Sequence, residues 1–97
     1  MSSPDRRTSW TFLTNHTQVL LCLARDPDVR LREVAQSVGI TERAAQRILA
    51  DLVKTGYVHT ERVGRRNRYT IDKEHAMRHV GQVGYQIGSL LDSLKLN

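Results

Sequence analysis

The chain has 97 residues, enough for one small domain. A domain of this size buries only about 60–65% of its unfolded surface, so extra stability from a partner chain is expected. A hydrophobic content of 39% with 26% charged residues excludes wholesale disorder, and no apolar run nears the ~18–20 residues of a membrane span. Fifteen Lys+Arg against ten Asp+Glu leave a net charge of +5, which points to an acidic partner such as nucleic acid or an anionic membrane. One cysteine, Cys22, excludes an internal disulfide and fits a reducing cytoplasm.

Residues 1–9 are polar, have no apolar core behind them, and read as a flexible basic arm rather than a secretory signal. In FLTNHTQVLLCLARD, residues Leu13, His16, Val19, Leu20 and Leu23 share one face at helical spacing, and Asp26-Pro27 stops the helix. In RLREVAQSVG, Leu31, Val34, Ala35 and Val38 fall at i, i+3, i+4, i+7, and Gly39 is the natural stop. Thr41 is a good N-cap for ERAAQRILADLVKTG, whose inner stripe is Ala45, Ile48, Leu49 and Leu52. The full capping box is absent, because Ala44 holds its acidic position.

After Gly56 the period changes. YVHTERV and RYTID alternate Val58/Thr60 and Tyr69/Ile71 against polar neighbours, which predicts a β-hairpin turned at VGRRNR. There Gly64 supplies the turn, and Asn67 is a residue that tolerates a left-handed conformation. From about Lys73 the helical period returns. Met77, Val80, Gly84, Ile87, Leu91 and Leu94 form an a/d seam, widened by Ala76, Val83 and Leu90. Gly81, Gly84 and Gly88 each cost up to about 1 kcal/mol inside a helix, so close packing with another backbone must offset them. The expected division is an arm at 1–9, a domain at 10–73 and a terminal helix at 74–97.

The spacing Ala35, Gly39, Ala45, Ile48 has a physical cause. A small residue lets two helices cross closely, a glycine permits a positive φ in the turn, and two inward residues lock the crossing. This is a helix-turn-helix pattern. Together, LREVAQSVGITERAAQRILADLVKTGYV and VGRRNRYTI resemble the winged helix-turn-helix family, in particular the small MarR-like and ArsR-like bacterial transcription regulators, over roughly residues 11–73. The resemblance implies an α+β fold, mainly α with a small β-hairpin, and an added C-terminal dimerisation helix. It also implies that helix 41–55 enters the major groove, that wing 62–68 reaches the minor groove or flanking phosphates, and that terminal helices build a homodimer. Family members often touch phosphates at the positions of Arg30 and Arg32.

The residues themselves agree with this. With the inner stripe on the core, Thr41, Glu42, Arg43, Gln46, Arg47 and Ala50 face outward. Arg43, Gln46 and Arg47 share a ridge near the helix N-terminus, the end that recognition helices present to base edges. Arginine suits guanine, glutamine suits adenine, and Thr41 with its neighbouring amides suits a phosphate. In the wing, Arg62, Arg65, Arg66 and Arg68 stand with Asn67 in a seven-residue stretch without an acid, against eleven basic and ten acidic residues elsewhere. Two protomers each neutralising ~4–5 phosphates predict a salt slope of roughly −7 to −9. A two-fold dimer bound to double-stranded DNA reads a pseudo-palindromic operator. Arg6 and Arg7 of the arm are candidates for an adjacent groove.

No paired carboxylates, nucleophile–base set or phosphate loop suggests an enzyme, and no cofactor is expected. His75 and His79 have a spacing able to bind a metal, as ArsR-like sensors sometimes use, but no second cysteine or ligand cluster accompanies them, and no metal is expected. Cys22 reads as a core residue. Trp10, Phe12 and His16 could edge a small-molecule pocket of the MarR-like kind, or plug the fold. The expected location is cytoplasmic, on the nucleoid. Two alternatives stay open: a nucleoid-type protein without sequence preference, and a winged-helix module for RNA or protein contact.

Overall fold

The computed structural model describes residues 11–75, 77 and 86–94. In chain order it contains α1 (Asn15–Arg25), α2 (Leu31–Val38), α3 (Glu42–Lys54), β1 (Val58–Val63), β2 (Arg66–Ile71) and α4 (Ile87–Leu94). The expected arm at 1–9, Trp10, Ala76, His79, Val80, Gly81, Val83 and Gly84 lie outside the described residues.

Helix α1 opens on Thr14, whose hydroxyl accepts a hydrogen bond from the Thr17 amide at 3.2 Å. It closes at Asp26, ahead of Pro27. Val19, Leu20, Leu21 and Leu23 are buried on it, so it packs on more than one side, against α2, α3, β2 and α4. His16 departs from the expected inner face. Its side chain is 49% exposed, and its Nε2 lies 2.9 Å from Oδ2 of Asp51 on α3. The first turn of α1 passes the polar side of α3 there, so the imidazole finds a carboxylate instead of the core.

Helices α2 and α3 form as expected. The Glu33 carboxylate accepts from the Arg30 amide at 3.1 Å and closes the N-terminus of α2. Gly39, at φ +85°, ends it, with its amide donating to the Ala35 carbonyl at 2.9 Å. Thr41 Oγ1 accepts from the Ala44 amide at 3.0 Å and opens α3. Ala35 and Ala45 are both buried, which lets the two helices cross closely. A Cβ at position 39 would meet nothing within 4 Å, so Gly39→Ala is expected to cost only the left-handed backbone penalty of roughly 1–2 kcal/mol. Urea unfolding checks this; an unchanged midpoint would mean the turn relaxes to a negative φ.

Strands β1 and β2 pair antiparallel from Val58↔Ile71 to Val63↔Arg66, with Gly64 and Arg65 at the turn. Burial is confined to the base of the hairpin, at Val58 and Tyr69 with Ile71 partly covered. Beyond them the ribbon projects past the helices and has no core to pack on, so Thr60 is exposed. Asn67 is not a left-handed turn residue. It sits in β2 opposite Arg62, and among the described residues only glycines have positive φ. The other edge of β2 is covered by the α1–α2 loop, where the Tyr69 amide donates to the Pro27 carbonyl at 2.9 Å.

The expected helix from Lys73 does not begin there. The Asp72 carboxylate accepts from the Glu74 amide at 3.2 Å, and the Asp72 carbonyl accepts from the His75 amide. This local turn competes with helix formation. Helix α4 starts instead at Ile87. Its first amides find partners in that turn, Ile87 N–H on the His75 carbonyl at 2.8 Å and Gly88 N–H on the Lys73 carbonyl at 2.7 Å. Gly88 is required there because a Cβ would sit 2.7 Å from that Lys73 oxygen. Ile87 and Leu91 of the expected seam are buried in the chain's own core, and Met77, Leu90 and Leu94 pack partly against it.

Candidate nucleic-acid interface

On α3, Thr41, Glu42, Arg43, Gln46, Arg47 and Ala50 are all exposed, as the inner stripe requires. Arg43 and Arg47 stand one turn apart, with Gln46 between them on the same side. At the N-terminus, the Thr41 hydroxyl already serves as a cap. Glu42 occupies the first turn, where its carboxylate offsets the positive end of the helix dipole.

The wing folds toward this helix. A shallow groove of about 650 Å³ runs between the start of α2, the outer side of α3 and the hairpin. Arg30, Glu42, Gln46, Arg65, Arg66 and Asn67 line it, with Leu49 and Tyr69 beneath. Residues far apart in sequence thus converge on one concave surface with three guanidinium groups and one carboxylate. Arg32, Thr41, Arg43, Arg47, Arg62 and Arg68 do not line this groove.

The wing arginines differ in their partners. Arg68 donates from Nε to Asp28 Oδ1 at 3.1 Å and from Nη2 to Asp28 Oδ2 at 3.3 Å. That bond and the Asp28 charge raise the Arg68 guanidinium above its ordinary pKa. Arg66 donates from Nη2 to the Asp28 main-chain carbonyl at 2.7 Å, an interaction that leaves its charge uncompensated. Arg62 turns back to the Gly64 carbonyl at 3.3 Å. Among the described residues the Arg65 side chain has no hydrogen-bond or ion-pair partner. Glu61 stands across the ladder from Arg68. Sequence reading therefore missed Asp28 and Glu61, which lie just outside or far from the acid-free stretch. The signal available for Asp28 was the acid-proline-acid run Asp26-Pro27-Asp28, there read only as a helix stop.

The other sensing candidates sit elsewhere. A larger groove of about 1030 Å³ lies on the side of α1 and α4, and Phe12, His16, Tyr57 and Met77 are among its walls. His75 packs edge-to-face on Tyr57 with ring centroids 4.4 Å apart, and its Nδ1 is 3.9 Å from the Asp72 carboxylate. No group of three or more His, Cys, Asp or Glu able to hold a metal occurs among the described residues. Burial pushes the Cys22 thiol up in pKa, opposed by the Arg25 charge and a hydrogen bond with Ser37. A raised thiol pKa leaves less thiolate for oxidation chemistry.

Three helices followed by a two-stranded wing and a further helix define a winged helix-turn-helix domain of the α+β class. The family model of the IclR helix-turn-helix domain matches residues 13–62, just over half of the 97. The chain belongs to that family, a family of DNA-binding transcriptional regulator domains and not of enzymes. The winged helix-turn-helix resemblance holds, and the family model places the chain in the IclR branch where the sequence alone suggests MarR-like or ArsR-like regulators. The Ala35–Gly39–Ala45–Ile48 spacing reports a helix crossing that many winged helices share, so it carries the fold more firmly than the branch. Among solved structures the chain is similar to the zinc-dependent MarR family transcriptional regulator AdcR in its Zn(II)-bound state, with a TM-score of 0.48 and 25% identity. The match covers 66% of this chain and 46% of that one, so the chain spans less than half of that regulator's length. No curated protein matches. No helix among the described residues is long and apolar enough to cross a membrane.

Proposed function

We propose that this chain is the duplex-binding domain of a homodimeric, sequence-specific transcriptional regulator. The observation that carries the reading is the convergence of the α3 outer face and the wing on one side of the domain, with Arg30, Gln46, Arg65 and Arg66 around a common groove. Arg43, Gln46 and Arg47 read base edges in the major groove, where side chains of these types match guanine and adenine. Arg62, Arg65 and Arg66, with Asn67, hold the adjacent minor groove or its phosphates, and Arg30, Arg32, Thr41 and Glu42 lie against the backbone beside them.

In this reading residues 10–73 are the binding unit and residues 1–9 an arm whose Arg6 and Arg7 add contacts. Residues 74–97 contribute both to the core, through Ile87 and Leu91, and to a second copy, through the seam positions Met77, Val80, Gly84 and Leu94. A place on the nucleoid follows from the partner.

Selection from a random duplex library with the purified protein tests the proposal. A symmetric enriched motif is expected, together with a dimer in sedimentation. Equal affinity for the selected motif and random DNA at fixed salt would favour a nucleoid-type protein instead. Failure to enrich any duplex would overturn the reading.

A further inference from the structure

Asp28 lies in the loop between α1 and α2, and three of its oxygens are turned to the wing. Its two carboxylate oxygens take Arg68, and its main-chain carbonyl takes Arg66. The loop is itself held at both ends. The Asp28 amide donates to Asp26 Oδ1 at 3.0 Å, and the neighbouring Pro27 carbonyl accepts the Tyr69 amide on β2. The pair spans forty residues of sequence and joins the hairpin to the helix-turn-helix. It is half exposed, with side-chain accessibilities of 53% and 55%, so its geometry is held by the loop and the strand rather than by burial.

The electrostatic result is uneven. Arg68 already has a full counter-charge in a two-point contact, and Glu61 stands opposite it in the ladder. A phosphate that recruits Arg68 either displaces Asp28 from the Nε–Nη2 edge or takes the remaining Nη1 donors beside a carboxylate that repels it. Arg66, bonded to a neutral carbonyl, and Arg65, with no partner among the described residues, carry no such penalty.

Resting on the DNA-binding reading above, we propose that Asp28 is a positioning residue that withholds Arg68 from the phosphate-contacting set. It fastens the wing at Arg68 and Arg66 and leaves Arg65, Arg66 and Arg62 to make the contact. The domain thereby trades one unit of non-specific grip for a fixed distance between wing and recognition helix.

The test compares salt slopes of duplex binding for the wild type, Asp28→Asn, the double variant Asp28→Asn with Arg68→Gln, and Arg65→Gln. Each freed or lost phosphate contact changes the slope by about 0.9 per protomer, which is about eightfold in affinity near 0.1 M salt when referred to 1 M. Asp28→Asn leaves the loop turn in place, because the acceptor there is the Asp26 carboxylate, and is expected to bind more tightly, with a slope steeper by about 0.9 per protomer. The double variant exchanges a charged pair for a neutral one and is expected to keep the wild-type slope. Arg65→Gln is expected to lose about 0.9. A double variant that loses a full contact, with Asp28→Asn unchanged, would overturn the proposal by showing Arg68 already on the phosphates. In the free protein, the Arg68 Nε–H resonance is expected to shift in Asp28→Asn; no shift would show that the pair is absent in solution and also overturn it. A wild type that binds no duplex, beside a shifted Arg68 resonance, would overturn both the positioning role and the DNA reading, and so differs from failure of the Asp28 proposal alone.

Discussion

Exchanging Arg62, Arg65 and Arg66 together for glutamine is expected to lower affinity for any duplex by two to three orders of magnitude per protomer near 0.1 M salt. Counterion release sets the size of the loss. Three phosphate contacts carry a combined slope of about 2.7, which is a factor of roughly 500 between 1 M and 0.1 M salt. The loss should be equal for specific and random sequences, because phosphate contacts hold register and carry no base information. Stability should change little, since all three side chains are exposed and the bonds of Arg62 and Arg66 go to exposed carbonyls. Fluorescence anisotropy across a salt series checks both the affinity and the slope. A variant that keeps the wild-type slope would end the wing assignment. Arg68 differs from these three, because it is engaged by Asp28 and its loss would also strip that carboxylate of its partner.

The second large effect concerns α4. Leu91→Ala is expected to destabilise the fold by roughly 2–4 kcal/mol, the range for removing a fully buried leucine side chain. Leu91 is 0% exposed and belongs to the same core cluster as Val19, Leu20 and Leu23 of α1. For a domain of this size the melting temperature should fall on the order of 10–25 °C. The informative feature is concentration. A residue buried within its own chain gives a loss independent of protein concentration, whereas a residue in an inter-chain seam gives one that shrinks as concentration rises. Melts over a hundredfold concentration range separate the two, and a strongly concentration-dependent loss would return Leu91 to the seam.

Where local physics decides, the sequence could be read almost directly. Gly39 ends α2 because its φ is positive, Thr41 opens α3 because its hydroxyl reaches the third amide, and Ala35 and Ala45 are small because two helices cross there. The hairpin was legible from its change of period and its glycine. The outward ridge on α3 then followed by subtraction. Two statements that depended on partners distant in the chain came out differently. His16 lay on the apolar stripe by period, yet it pairs with Asp51, thirty-five residues on. The helical period from Lys73 had the spacing of a seam for a second chain, yet Asp72 turns the chain at 72–75, and Ile87 and Leu91 are buried in the chain's own core with α1.

The same division runs through the candidate site. The sequence by itself determined the domain's class, the outward ridge of its third helix and the location of its surplus charge, because helix caps, turns and periodicity are set by neighbours within a few residues. Only the tertiary structure decided which of those charges are free. Asp28 and Arg68 are forty residues apart, and nothing in either neighbourhood marks them as partners until the Pro27 carbonyl takes the Tyr69 amide and draws the loop along β2. A formal count gives the wing four equivalent arginines. The folded chain divides them, because a charge's availability depends on what lies within a few ångströms of it, and that distance is set by packing.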